Sequence, residues 1–345
     1  MADFVVFQDD AFRAMELSEA INMVPNQWGL IGNLGVFTPK PIRGTKFAVE
    51  KKNGVLQIVQ SSERGTSLPA AKRGKRNLLD LRTERFGLKS HMTAEDVDEI
   101  RAYGSVSELQ AVSNEVADRQ ETLRGSLDIT REYLRSGALQ GIIKDADGSE
   151  LYDLFDVFDV TREEVDFTLG TATTDINASA REVTRHIKTN LMGDVASKVV
   201  SLMHPDFTDK LMANEDFRDR YKFYQNANGG DPLRDDVSNG FEHGGIYWKE
   251  YLGEGSVPQE DGSSITVEFV PEGECMFFPL GTRQTFRDFN GSPDWMGAAN
   301  MPGLEGYSRV LPDKQEDRFV DVEGMMQTMP MCLRPGVLVR GYTSN

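Results

Sequence analysis

The residues best suited to chemistry in this sequence are four histidines, His91, His186, His204 and His243, and they stand far apart. None lies in a His-Glu-x-x-His helix and no Cys-x-x-Cys pair exists, so no zinc site is spelled out. Cys275 and Cys332 are the only cysteines, too few and too separate for a disulfide framework. Two acid–histidine neighbours, Glu242-His243 and His204-Pro205-Asp206, have the residue types for proton transfer. With 55 Asp and Glu in the chain such neighbours arise by chance, and capping or surface roles suit them better. Asp145-x-Asp147-Gly148 opens like a calcium loop, but its glycine stands at position 4 instead of 6, and Asp156 occupies position 12 where a bidentate Glu belongs. Gly74-Lys75 is followed by Arg76 and lacks the upstream glycine of a phosphate loop, and no Gly-x-Ser-x-Gly elbow occurs. We therefore expect no catalytic, metal-binding or cofactor-binding residue.

Charge is more informative than motifs. The net charge of −17 excludes coating nucleic acid through the general surface, because phosphate contacts need clustered Lys and Arg. Enclosing nucleic acid without adhering to it is compatible with that charge. The distribution is uneven: residues 40–89 hold thirteen Lys/Arg against four Asp/Glu, a balance of +9 that leaves −26 on the rest of the chain. Such a block is either a solvated basic loop or a segment that pairs with the acidic body of an identical neighbour. Nucleic-acid binding suits it less, since Phe47 and Phe86 are its only aromatics. No apolar run approaches the ~18 residues of a membrane span, and Met1-Ala2-Asp3-Phe4 does not open a secretory signal. At 345 residues and 39% hydrophobic, the chain can fill two compact domains or one with long extensions.

Several elements can be placed. Gly29, Gly32 and Gly35 punctuate a segment read as an extended arm. Residues 42–89 read as a long two-stranded excursion, with Phe47 and Val49 turning at Asn53-Gly54 into Val55, Leu56, Ile58 and Val59. A small, basic run over 69–77 follows, and then Leu78, Leu79, Leu81, Phe86 and Leu88. So little internal core cannot order a segment of this length, which must lie on something else. Leu109, Val112, Val116, Leu123, Leu127 and Leu134 recur at helical spacing, predicting one long helix over 105–135 with an opposite face that is wet. A hairpin should turn at Asp147-Gly148. Beyond 174 the texture is α/β: a helix over 176–192, a buried strand over 198–203, a helix opened by Pro205-Asp206, and strands near 245–251, 264–269 and 274–279. Residues 284–312 read as an ordered loop, and 317–342 as strands broken at Pro330 and at Pro335-Gly336.

This order of elements resembles the α+β shell fold of tailed-phage and herpesvirus capsids, and more narrowly the lambda-type family of phage capsid protein E. The stretches that carry the resemblance are Pro41-Ile42-Arg43-Gly44, residues 82–93, the 198–203 strand running into Pro205-Asp206, Phe269-Val270-Pro271-Glu272-Gly273, Leu280-Gly281-Thr282, and 325–333 before Pro335-Gly336. The resemblance implies an N-terminal arm (1–41), an E-loop (42–90), a P-domain with a long spine helix and hairpin (91–172), an α/β A-domain (173–316) and P-domain terminal strands (317–345). It implies a major capsid protein that assembles with identical subunits, as pentamers and hexamers, around double-stranded DNA. Scaffold, portal and decoration proteins would be further partners, without a membrane and in the host bacterial cytoplasm. No scaffold-like prelude is seen at the N-terminus, which suggests a separate scaffold. Within the E-loop the expected contacts to a neighbour are Lys51, Lys52, Val55, Ile58, Lys72, Arg73, Lys75, Arg76, Leu78 and Leu81. Rival readings are a cellular nanocompartment shell, a tail or decoration component, and a hydrolase or transferase on residues 174–345.

Overall fold

The computed structural model describes residues 29–52, 76–93, 96, 108–171, 174–215, 217–219, 221, 240–258, 263–298, 300–313 and 319–344. Its helices are α1 (Leu30–Asn33), α2 (Glu108–Gln140), α3 (Leu154–Phe158), α4 (Ile176–Asn190) and α5 (Pro205–Ala213). Its strands begin with β1 (Thr38–Pro41), β2 (Lys46–Lys52), β3 (Arg76–Arg82), β4 (Glu84–Thr93), β5 (Ile142–Lys144), β6 (Glu150–Asp153), β7 (Glu163–Asp166), β8 (Lys198–Met203) and β9 (Phe241–His243). They continue with β10 (Ile246–Glu250), β11 (Glu254–Pro258), β12 (Ser264–Glu268), β13 (Glu274–Leu280), β14 (Phe286–Asn290), β15 (Tyr307–Pro312), β16 (Phe319–Cys332) and β17 (Val339–Tyr342). No described helix is long and apolar enough to cross a membrane.

Two sheets divide the strands. The first is built on β16, whose 14 residues exceed what any neighbour can match. β14 pairs with 328–332 and β15 with 320–325, one after the other along one edge, while β4 takes 319–328 on the opposite edge. β1 extends this sheet in parallel with β14. β16 passes through Pro330 unbroken, contrary to the expected break. The β4 ladder ends at Thr328, so no partner needs the missing N–H on that side. β14 and β15 also replace much of the loop expected over 284–312. The Gly and Pro that suggested a loop lie in 291–306, between two short strands.

The second sheet runs β7-β17-β13-β8-β10-β9. β8 is flanked on both sides, by parallel β10 and antiparallel β13, and is buried from Val199 to Met203, which explains its uninterrupted apolar run. Phe167, Phe207, Trp248 and Phe277, none more than 0% exposed, pack there edge-on or stacked at centroid separations of 5.4–6.0 Å. α5 starts at Pro205 because His204 caps it, its Nδ1 accepting the Asp206 N–H at 3.2 Å. The sheets exchange strands: β14 and β15 leave the 173–316 segment for the first sheet, and β17 leaves the 317–345 segment for the second. The boundary expected at 316/317 therefore cuts across both sheets.

β2 pairs with β3 from Lys46↔Arg82 out to Lys52↔Arg76. The ladder partner of β2 is thus β3 and not the run after Asn53-Gly54, which lies outside the described residues. At the root of this ribbon Phe47, Val49 and Leu81 are 7%, 6% and 5% exposed, and Phe47 stacks on Phe289 at 4.0 Å. The expectation that the whole of 43–89 lacks a place on its own subunit is corrected at both ends. Alternation at Phe47/Val49 and Leu79/Leu81 seats one face of the ribbon in the subunit core, and β4 lies along β16. Leu81, expected to reach a neighbour, is core in its own chain.

α2 spans 33 residues, about 50 Å. Val116, Leu123, Leu127 and Leu134 are buried as the spacing predicts; the side chains of Leu109 and Val112 lie outside the described residues. The wet opposite face is corrected. Arg124, Asp128, Arg131 and Glu132 are each at most 5% exposed, because loop 291–306 and the α1 segment cover additional sides of the helix. Arg124 Nε donates to Asp128 at 2.9 Å, Arg135 pairs with Asp288 at 2.7 Å, and Arg131 donates to the Glu305 carbonyl. Glu132 accepts three hydrogen bonds: Ile31 N–H at 2.6 Å, Gly32 N–H at 3.0 Å and Tyr251 O–H at 2.8 Å. The first amides of the four-residue α1 need acceptors outside their own helix, and Glu132 supplies them. Gly29 has φ +119, and a Cβ there would meet Glu132 Oε2 at 2.6 Å. Residues 29–35 are therefore a docked helical turn instead of an extended arm.

Two outcomes follow from these buried charges. Glu132→Ala strips two amides and a hydroxyl of their acceptor and should cost roughly 3 kcal/mol, read as a lower urea midpoint at unchanged slope. For Asp288, burial raises the carboxyl, but the Arg135 and Arg131 guanidiniums outweigh it and hold the group below its usual 3.8. A depressed folded-state value contributes stability that is complete above the unfolded pKa and lost as pH falls through the folded one. Asp288→Asn should accordingly lower the melting temperature at pH 7, with the gap to the parent protein closing below about pH 4.

Candidate functional site

Among the described residues one face of α2 stays uncovered. Asp118, Thr122, Ser126, Ile129 and Tyr133 follow each other at steps of four, four, three and four, a single helical stripe. They floor a groove of about 1130 Å³, walled by β4 over 84–88 on one side and by β11 over 255–258 on the other. Gly125 lies on the same floor and carries no side chain, which gives an incoming backbone room at the cost of ~1 kcal/mol of helix propensity. Phe269 closes one end against Tyr133, with centroids 5.8 Å apart. From Asp118 to Leu134 the floor is roughly 24 Å long, the length of about seven extended residues. Four carboxylates line it, Glu84, Asp118, Glu121 and Asp145, against the single guanidinium of Arg85, a local charge of −3. What fits is an extended, cationic segment with apolar side chains.

A second cleft, of about 1170 Å³, opens on the other side of β4. Trp295, Ala298, Tyr307 and Met325 form its apolar base, with Met301 and Leu304 packed against them. Arg309 lies over the Trp295 ring at 4.6 Å and pairs with Glu323, which Lys89 also reaches at 2.8 Å. Burial would raise the Glu323 carboxyl, but hydrogen bonds from Arg309 and Lys89 hold it below its usual range. Met296 stands at the margin, 95% exposed.

The acid–histidine neighbours do not converge on a reaction centre. His204 caps α5 and its Nε2 faces Glu268 at 3.2 Å, while Glu242 and His243 pair across strands with Tyr247 and Ile246. Among the described residues no group of three or more His, Cys, Asp or Glu is placed to hold a metal. Both cysteines are buried, and burial pushes the Cys332 thiol up to about 12. Of the expected contact residues, Lys51, Lys52, Arg76 and Leu78 have described strand backbone only, and Val55, Ile58, Lys72, Arg73 and Lys75 lie outside the described residues. Of the spine positions singled out by spacing, Val116, Leu123, Leu127 and Leu134 form the inward face of α2. The groove floor was missed, although Ile129 and Tyr133 among polar residues, with a glycine between turns, marked that face as more than solvated.

The family model described as phage major capsid protein E matches residues 13–343. The major capsid protein of Pseudomonas phage KPP10 is 26% identical over 345 residues, covering 96% of each chain. That of Salmonella phage Felix O1 is 27% identical over 359 residues, covering 95% of each. The capsid structure of cyanophage P-SCSP1u superposes with a TM-score of 0.51 over 93% of this chain and 90% of that one, at 13% identity, which shows a shared fold. The α+β fold is thus that of phage capsid proteins, and the chain belongs to the phage major capsid protein E family.

Proposed function

We propose that the protein builds an icosahedral shell around a double-stranded DNA genome by laying the basic arm of each subunit into the spine groove of an identical neighbour. The observation that supports this most directly is charge complementarity. The groove carries −3, and the arm between its two rooted ends, residues 53–75, holds Arg64, Lys72, Arg73 and Lys75 against Glu63, a balance of +3. Phe47, Val49 and Leu81 anchor both ends of the arm in the home subunit. Apolar residues such as Val55, Ile58 and Leu78 then supply affinity, and the charges select partner and register. Obligate interfaces of this kind bury ~2,000 Å² or more.

In this scheme the second sheet and its helices form the A-domain contacts around the axes of pentamers and hexamers. The protein's role is structural, without catalysis or a cofactor. Assembly takes place in the host bacterial cytoplasm with a scaffold and a portal, and decoration proteins can reinforce the finished lattice. An Asp- and Glu-dominated inner surface lets packaged DNA move without binding.

Reversing the groove tests the scheme. Asp118→Lys with Glu121→Lys should slow or misdirect assembly, most strongly below about 50 mM salt where screening is weak. Adding Lys72→Glu and Lys75→Glu should restore closed particles in negative-stain images. Normal shells from the groove variant alone would remove this surface from assembly.

A further inference from the structure

We infer that the outer edge of β4 over 84–88 takes up residues 55–59 of a second copy as an added β-strand, so that the shell contact is a backbone ladder as well as a charge match. This rests on the arm-in-groove scheme above and names the register element within it. β4 pairs with β16 along one edge, and among the described residues no strand pairs with the other. An edge of this length presents unpaired N–H and C=O groups, a ready template for another strand. Its far end is covered: Arg119 donates to the His91 carbonyl at 2.6 Å and to Ser90 Oγ at 2.9 Å, and pairs with Asp96 at 3.0 Å. Among the described residues none covers the outer edge from Glu84 to Leu88 in this way, and Leu88 is 49% exposed.

What distinguishes this edge is that a cleft opens on each face of it, one acidic with apolar patches at Ile129, Tyr133 and Phe269 and one with an apolar base. Arg85, Gly87 and Leu88 line both the spine groove and the Trp295 cleft. A strand added here sends alternate side chains to the two faces and fills both. The matching occupant is apolar at both parities, as a strand buried on two faces must be. Val55-Leu56-Gln57-Ile58-Val59 meets that requirement, and the chain's basic residues follow it at Arg64, Lys72, Arg73 and Lys75.

The occupant comes from another copy for a geometric reason. Lys52 pairs with Arg76 at the last described rung of the β2–β3 ladder, whereas β4 begins beside Arg82 at its root. That separation is about 20 Å along the ribbon at ~3.3 Å per residue. β4 leads away from the ribbon to pair with β16, so it does not fold back toward Lys52. Three residues from Lys52 to Val55 span only about 10 Å.

Co-assembled single-cysteine subunits test this, since Cys275 and Cys332 are buried and their thiols are raised far from reactivity. Subunits carrying Ile58→Cys are mixed with subunits carrying Leu88→Cys, and in parallel Lys72→Cys with Ser126→Cys; assembled particles are treated with a short bismaleimide. Heterodimer bands in both mixtures are expected. A band only from Lys72 and Ser126 would leave the arm in the groove and overturn strand addition. No band from either would overturn both. Amide hydrogen exchange on the unmodified protein gives an independent reading: exchange within 84–88 should slow at least about tenfold in shells relative to dissociated subunits. Unchanged exchange alongside a positive cross-link would mean side-by-side packing without a ladder, and would also overturn it.

Discussion

Charge buried along α2 fixes how that helix can be rotated about its own axis. Arg124 with Asp128, Arg135 with Asp288, and Glu132 with the α1 amides and Tyr251 all sit out of water. Each ion pair carries a desolvation cost comparable to its Coulombic gain, so such pairs contribute little net stability. Their effect is on specificity. A turn of α2 by one residue would carry about 100° of rotation and leave several of these groups buried without partners, at ~1–3 kcal/mol or more each. The helix therefore has one permitted orientation, and the stripe from Asp118 to Tyr133 faces outward in it.

Fixing α2 also fixes what rests on it. β16 crosses the helix, β4 lies along β16, and the ribbon of β2 and β3 enters β4 through Thr83. Thr83 is 3% exposed and its carbonyl accepts the Gln327 side-chain amide at 2.7 Å, which pins the turn from ribbon to sheet. The arm therefore departs from a defined point, and the groove it is proposed to fill is positioned by the same helix in the next copy. One element sets both halves of the contact.

Much of this was legible in the sequence. The α2 spacing, the apolar β8 run into Pro205 and the capping use of His204 each depend on local pattern, and each was found where expected. The errors share a different origin. β14 and β15 are five and six residues long and flank a stretch rich in Gly and Pro, so local composition outweighed them. Pro330 reads as a break unless one knows that β4 has already ended opposite Thr328. Buried Arg124 and Asp128 pair within the helix and read as an ordinary solvated i,i+4 pair, while Arg131 and Glu132 look solvated because partners of theirs lie far along the chain, up to 174 residues away for the Glu305 carbonyl. Long-range partners leave no mark on local periodicity, and the groove went unseen for the same reason.

With −17 on the whole chain and +3 on residues 53–75, the chain outside that segment carries −20, and in the proposed scheme the +3 segment is what draws an otherwise acidic subunit to another copy. That balance keeps the exposed β4 edge from pairing indiscriminately. Glu84, Arg85 and Lys89 flank its apolar centre with both signs of charge, the arrangement by which natural edge strands resist unwanted neighbours. A segment approaching this edge must bring a cationic flank for the groove and apolar side chains for two opposite faces. Few segments satisfy both, and within this chain the stretch from Val55 to Lys75 does. Under the proposed contact, the acidity of the protein and the exposure of its edge strand act together: repulsion would exclude most encounters, and the arm would overcome it in a single register.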